Sequence, residues 1–137
     1  MTTQQLTIST ETIQSTIQHY FAASRGNNKV DDMVACFAET CVAQDPADGP
    51  ILNGQAEVRH FFQTIVDLFA TVELTEEFVS INGQEAAVKW SGYGIGKNGS
   101  EVAFEGVDVF EFNPDGKIQS IKAYWNPTAM ITQLGIS

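Results

Sequence analysis

Glu101-Val102-Ala103-Phe104-Glu105-Gly106-Val107-Asp108-Val109-Phe110-Glu111-Phe112 is the stretch on which the fold turns. Its residues alternate as a strand with one buried face requires. Phe104, Asp108, Phe110 and Phe112 fall on one side, and Glu105, Val109 and Glu111 on the other. An aspartate on an aromatic face is not where a solvated carboxylate belongs. Desolvation disfavours its ionised form, so Asp108 is expected to keep its proton and donate a hydrogen bond. Pairing with a buried donor for structural reasons explains the same placement.

Outward from this strand the pattern continues in both directions. Pro114-Asp115-Gly116 turns the chain into a last strand over 117–126. Upstream, Lys97-Asn98-Gly99-Ser100 connects to a strand over 85–96, glycine-rich at its end, where a bulge or bend is expected. Asn82-Gly83 signals a hairpin back to a strand over 71–81. The second half is therefore read as a four-stranded antiparallel meander.

The first half is helical. Ile13, Ile17, Tyr20, Phe21 and Ser24 share one face of a helix capped by Thr10 and ended by Gly26. A short helix follows Asn28, with Asp31 and Asp32 in its first turn and Val30, Met33, Val34 and Phe37 on its apolar side. Cys41–Asp45 reads as a short strand broken by Pro46, and a third helix follows Gly54 with Val58, Phe61, Phe62, Ile65, Val66 and Phe69 on its buried stripe. The expected fold is α+β: one domain over 1–137, a curved antiparallel sheet wrapped around three N-terminal helices, with a conical pocket at its open end. Residues 1–9 read as a tail that need not be ordered.

Bulk properties bound the function. The 137 residues suit one domain with a real core. Seventeen acidic against seven basic residues give a net charge of −10, which disfavours nucleic acid and anionic ligands and leaves a neutral apolar ligand unpenalised. Met1–Thr10 lacks a basic region followed by an apolar run, and no stretch approaches bilayer length, so neither signal peptide nor membrane span is expected and a cytoplasmic location is the default. Cys36 and Cys41 read as reduced buried thiols rather than a short disulfide. His19 and His60 have no metal-ligand spacing, and no helix follows the glycines near Lys97 to make a phosphate loop.

Two further residues join Asp108 as candidates. Tyr20 lies on the inner face of the first helix, where a phenol directs its hydroxyl into a cavity or simply packs. Asp45 ends a strand beside Pro46, which has no N–H to offer it. That suits a general base at the rim of an apolar pocket, or merely the start of a turn. Together, one carboxylate moves a proton while a phenol and a protonated acid stabilise the resulting oxyanion.

Gln18-His19-Tyr20-Phe21-Ala22-Ala23 with Gly26, Cys36-Phe37-Ala38-Glu39 running into Val42-Ala43-Gln44-Asp45-Pro46, Val107–Phe112, Gly116–Ser120 and Ala123-Tyr124-Trp125 resemble bacterial ketosteroid isomerases, within the nuclear-transport-factor-2-like superfamily. The resemblance spans nearly all the chain after residue 10. It implies that Tyr20 is the oxyanion-hole tyrosine, Asp45 the proton-shuttling base, Asp108 the protonated acid and Trp125 an aromatic pocket wall. A carboxylic acid kept neutral near pH 7 is a known device of that family. The expected pocket walls are Phe62, Phe69, Phe104, Phe110 and Trp125. Phe62 and Phe37 stand where some relatives carry tyrosines that support the oxyanion tyrosine.

The reading that follows is an isomerase moving a double bond into conjugation with a carbonyl through a dienolate, with no cofactor or metal. Its expected ligand is a neutral apolar carbonyl compound such as a steroid. Alternatives are a polyketide cyclase-like or dehydratase-like enzyme on another carbonyl substrate, and a non-catalytic small-molecule-binding module. The resemblance also implies a homodimer through the outer sheet face, with Trp90 and Tyr124 as the expected exposed positions.

Overall fold

A computed structural model describes residues 8–136. Helix α1 (Thr10–Ser24) begins at Ser9, whose side chain accepts from the Thr12 amide at 3.1 Å. Thr10 is thus the first helical residue and not the cap. The expected tail shortens accordingly: Ile8 packs on the core and Ser9 caps the helix, while residues 1–7 lie outside the described residues. Ile13, Ile17, Tyr20, Phe21 and Ser24 form the buried stripe of α1. Burial of a side chain such as Phe21 contributes roughly 1.5–3 kcal/mol.

Helix α2 (Lys29–Val34) carries Asp31 and Asp32 in its first turn. Strand β1 (Phe37–Gln44) is longer than expected, since Phe37 opens it rather than closing α2. Strand β2 (Ile51–Asn53), which was not assigned from sequence, pairs antiparallel with β1. Helix α3 (Gly54–Val66) buries Val58 and Phe62. Strands β3 (Phe69–Asn82), β4 (Glu85–Gly96), β5 (Glu101–Phe112) and β6 (Ile118–Trp125) form the meander. Phe69 therefore belongs to β3 and not to the stripe of α3. The β3–β4 turn is Gly83-Gln84, one residue later than read, because Asn82 still pairs with Glu85 and Gly83 takes φ +63°.

The sheet has six strands in the order β2-β1-β6-β5-β4-β3, with β1 parallel to β6. It curves over α1 and α3 without closing into a barrel. A last element was not assigned from sequence. Helix α4 (Pro127–Leu134) has Asn126 as its cap and the left-handed Gly135 at its end. Its Met130 and Leu134 pack with Phe69, Val72 and Val102 at one end of the sheet. The Gln133 amide exchanges two hydrogen bonds with the Ala103 backbone, both 2.8 Å. Among the described residues no helix is long and apolar enough to cross a membrane.

Alternation on β5 holds throughout: Val102, Gly106, Asp108, Phe110 and Phe112 are buried, and Glu101, Ala103, Glu105, Val109 and Glu111 are exposed. On β4 the inward positions are Ala86, Val88, Trp90, Gly92 and Gly94. Trp90 thus points inward at 4% exposure and is no part of the outer face, whereas Tyr124 is 50% exposed. The bulge expected among the β4 glycines is instead on β3, at Phe69/Thr71 and Glu76/Phe78. The glycines clear space for rings. A Cβ on Gly92 would lie 2.5 Å from the Phe104 ring, and one on Gly106 2.6 Å from the Trp90 indole and 2.7 Å from the Tyr124 carbonyl. Because backbone cannot move aside as a side chain can, Gly106→Ala is expected to destabilise the fold by roughly 1–3 kcal/mol, read from the urea midpoint.

Candidate active site

The curved sheet and the helices α1 and α3 enclose an apolar cavity lined by Tyr20, Asp45, Phe61, Phe62, Trp90, Phe104, Asp108 and Trp125, among others. Its volume is about 80 Å³, where one water takes roughly 10–15 Å³. Of the expected walls, Phe62, Phe104 and Trp125 line it directly. Phe69 and Phe110 stand behind it: Phe69 stacks on Phe104 with ring centres 6.2 Å apart, and Phe110 meets Tyr20 edge-on at 5.7 Å.

Asp108 reaches the cavity because it follows the inward parity of β5. It is 3% exposed, and the Trp90 indole N–H donates to its Oδ1 at 2.9 Å. Both readings of Asp108 therefore meet here, since it has a structural donor and also faces the cavity. Burial, and then the charge of Asp45, push its carboxyl well above the ordinary carboxylate range, and the Trp90 bond opposes the shift. Trp90 was missed as a site residue. The inward run Ala86, Val88, Trp90 held the signal, since Val88 pairs with Asp108 and Gly106 leaves room for the indole.

Asp45 follows the last residue of β1, where the parallel partner β6 delivers Trp125 alongside. The Trp125 indole N–H donates to Asp45 Oδ1 at 2.5 Å. Burial raises the Asp45 carboxyl to about 6, against the lowering effect of that bond. Gln44 donates to the Gly49 carbonyl at 3.1 Å and ties down the loop beyond Asp45. The two indoles meet edge-on at 6.3 Å, so each carboxyl is held by its own tryptophan on one aromatic wall.

Tyr20 is 2% exposed, and its ring is surrounded by Phe21, Phe37, Phe62 and Phe110 at 5.1–6.2 Å. Among the described residues its hydroxyl has no hydrogen-bond partner. Burial, followed by the charges of Asp108, Asp45 and Cys36, raises its pKa well above the ordinary phenol value. A buried, unpartnered hydroxyl beside a cavity is a donor waiting for an acceptor. Cys36 and Cys41 are buried free thiols, and His19 and His60 are exposed. Among the described residues no three His, Cys, Asp or Glu side chains are grouped to hold a metal.

The cavity thus brings together a carboxyl at Asp45 raised to about 6, a second carboxyl at Asp108 raised well above its ordinary range, and a phenol at Tyr20 without a partner among the described residues. Such a set is able to take a proton from an apolar carbonyl compound and to hold the negative oxygen that results.

Comparison with known proteins bears on the family and the fold. A steroid Δ-isomerase of Nocardioides simplex is 22% identical over 121 residues, covering 87% of this chain and 94% of the relative. The epoxide hydrolase/cyclase-like enzyme SalBIII, which has a role in pyran ring formation in the polyether salinomycin, superposes with a TM-score of 0.74 at 26% identity, covering 87% of this chain and 94% of its own. A protein of ketosteroid isomerase-like fold from Catenulispora acidiphila, solved with trimethylamine, has a TM-score of 0.75 at 17% identity, covering 89% and 93%. The SnoaL-like domain matches residues 17–121, from the inner face of α1 to the strand that carries Trp125, and the chain belongs to that family.

Proposed function

We propose that the protein is a ketosteroid isomerase-like enzyme that moves a carbon–carbon double bond into conjugation with a carbonyl. The observation that carries this reading is geometric: two carboxyls, each held by one indole N–H, and the Tyr20 phenol line one apolar cavity. Burial raises both carboxyls above their ordinary range, Asp45 to about 6, which suits a base that titrates near neutral pH and a second acid that donates.

In this reading the substrate carbonyl meets the Tyr20 hydroxyl and the protonated Asp108. Asp45 takes a proton from the carbon between carbonyl and alkene, and the C–H electron pair passes into a dienolate whose charge rests on oxygen. Asp45 then returns the proton to the far alkene carbon as the electrons flow back. The proton count closes with one base and no added reagent. A neutral ligand suits both the apolar lining and the net charge of −10. The compact cavity and the likeness to SalBIII favour a second reading, in which the same acids and base act on a smaller carbonyl compound in a cyclase-like or dehydratase-like reaction. The implied homodimer is read onto the outer sheet face, where Tyr93, Val109 and Tyr124 are exposed.

Mixing the protein with 5-androstene-3,17-dione is expected to raise absorbance at the conjugated-enone band. Asp45→Asn is expected to slow this roughly 10²–10⁴-fold, by loss of the base. Tyr20→Phe is expected to slow it roughly 10²–10³-fold, by loss of one oxyanion donor. Turnover unchanged by Asp45→Asn would sink the reading. Turnover of a smaller ketone alone, still dependent on Asp45, would select the second one.

The pH profile gives an independent check. Asp45 must be ionised to act, so kcat/KM is expected to rise with pH, level off above about 6, and fall tenfold per unit below it. Trp125→Phe removes an N–H that favours the anion, which raises the Asp45 pKa and moves this limb to higher pH. A limb that stays in place would mean that Trp125 does not tune the base.

A further inference from the structure

Lys29 opens α2 and lines the same cavity as Tyr20, Asp45 and Asp108. Its ammonium donates to the carbonyls of Ser24 at 2.9 Å and Gly26 at 3.0 Å, closing the end of α1. An ammonium has three N–H donors, so one is left over. Among the described residues no carboxylate forms an ion pair with Lys29, and it is the one basic residue among those that line this apolar cavity.

Its position is also defined relative to the candidate site. Ser24 follows Tyr20 by four residues on the buried face of α1, so the carbonyl held by Lys29 is about 6 Å further along the helix. The cavity is therefore polar at two separated places, with apolar Met33, Val66 and Leu74 lining it as well. Exposed Glu73 also lines it. That carboxylate and the net negative charge oppose an anionic ligand. A neutral oxygen is suited instead: it accepts from Lys29, and a hydroxyl there also has Glu73 as an acceptor within the same lining.

We propose that Lys29 is a specificity residue that binds a second, uncharged oxygen, keto or hydroxyl, at the end of the substrate away from the reacting carbonyl. This role rests on the reading of Tyr20 and Asp108 as the end that holds the reacting oxygen. The ligand class it defines is a compact ring system with oxygen at both ends. The second oxygen fixes which end enters first and places the acidic C–H against Asp45.

Two naphthols test this without turnover: 6-acetyl-2-naphthol, with a distal keto group, and 6-isopropyl-2-naphthol, of similar shape without one. In each, the phenol oxygen stands for the substrate oxygen held by Tyr20 and Asp108. Affinities are read by fluorescence titration. Lys29→Met is expected to weaken the acetyl compound about 10-fold and leave the isopropyl compound unchanged. Lys29→Arg is expected to restore the difference. Lys29→Gln, which still has a donor for an α1 carbonyl, repeats the comparison should Lys29→Met lose its fold. Equal weakening of both compounds, or of neither, would overturn the proposal and leave Lys29 as a helix-end residue. Tyr20→Phe is expected to weaken both compounds alike. If neither binds the wild type, or Tyr20→Phe changes nothing, the reading of the inner end falls and the role of Lys29 with it.

Discussion

The Asp108 carboxyl sits in an aromatic interior with one indole N–H as its donor, and the architecture around it is arranged to tolerate that burial. An ionised carboxylate there is strongly penalised, which pushes the carboxyl well above its ordinary range. Trp90 satisfies one of its oxygens, Oδ1. Trp90 in turn needs Gly106 beneath it, because any Cβ at that position would strike the indole and the Tyr124 backbone. Asp45 adds a second, less deeply buried carboxyl on the same wall. Both acids bind their protons more tightly in the folded chain than in the unfolded one. From these two groups, stability therefore falls as pH rises from the ordinary carboxylate range toward each folded-state value, which for Asp45 is about 6. The site is held against that loss by the surrounding core.

Tyr20 is controlled by a different means. Phenylalanines on four sides fix its ring, and none offers a hydrogen bond to its hydroxyl. Phe37 and Phe62 hold it by packing alone. The phenol consequently keeps its full donor capacity for a ligand, with no neighbouring hydroxyl to share the developing charge. Helix α1 positions it through Ser24, whose hydroxyl donates to the Phe21 carbonyl at 2.6 Å and accepts from the Leu74 amide at 3.0 Å, and through Arg25, which donates to the Leu74 carbonyl at 2.6 Å. One helix thus carries the phenol and, a turn later, the contacts that set its depth against β3.

Alternation of period two on β5 placed Asp108 and Phe110 inward without ambiguity, since a slip of one residue would have buried Glu105 and Glu111. The helical stripe of α1 placed Tyr20 inward for the same kind of reason. The same rule applied to β4 places Trp90 inward with Val88, against the expectation that it faced outward. β2 and α4 escaped because a three-residue edge strand has too little pattern to register, and because α4 announces itself only by Asn126-Pro127 and Gly135 at its ends.

Residue type and local periodicity by themselves determined the α+β class, the boundaries of β5, the inward placement of Tyr20 and Asp108, and the family resemblance. Those are short-range properties, fixed by neighbours within a few residues. Tertiary structure alone decided that Trp90 holds Asp108 and Trp125 holds Asp45, that Phe69 and Phe110 stand behind the cavity, and that Lys29 lines it. Each of those depends on register between strands or on how a helix end meets the sheet. Such distances arise only when segments far apart in sequence close around one core.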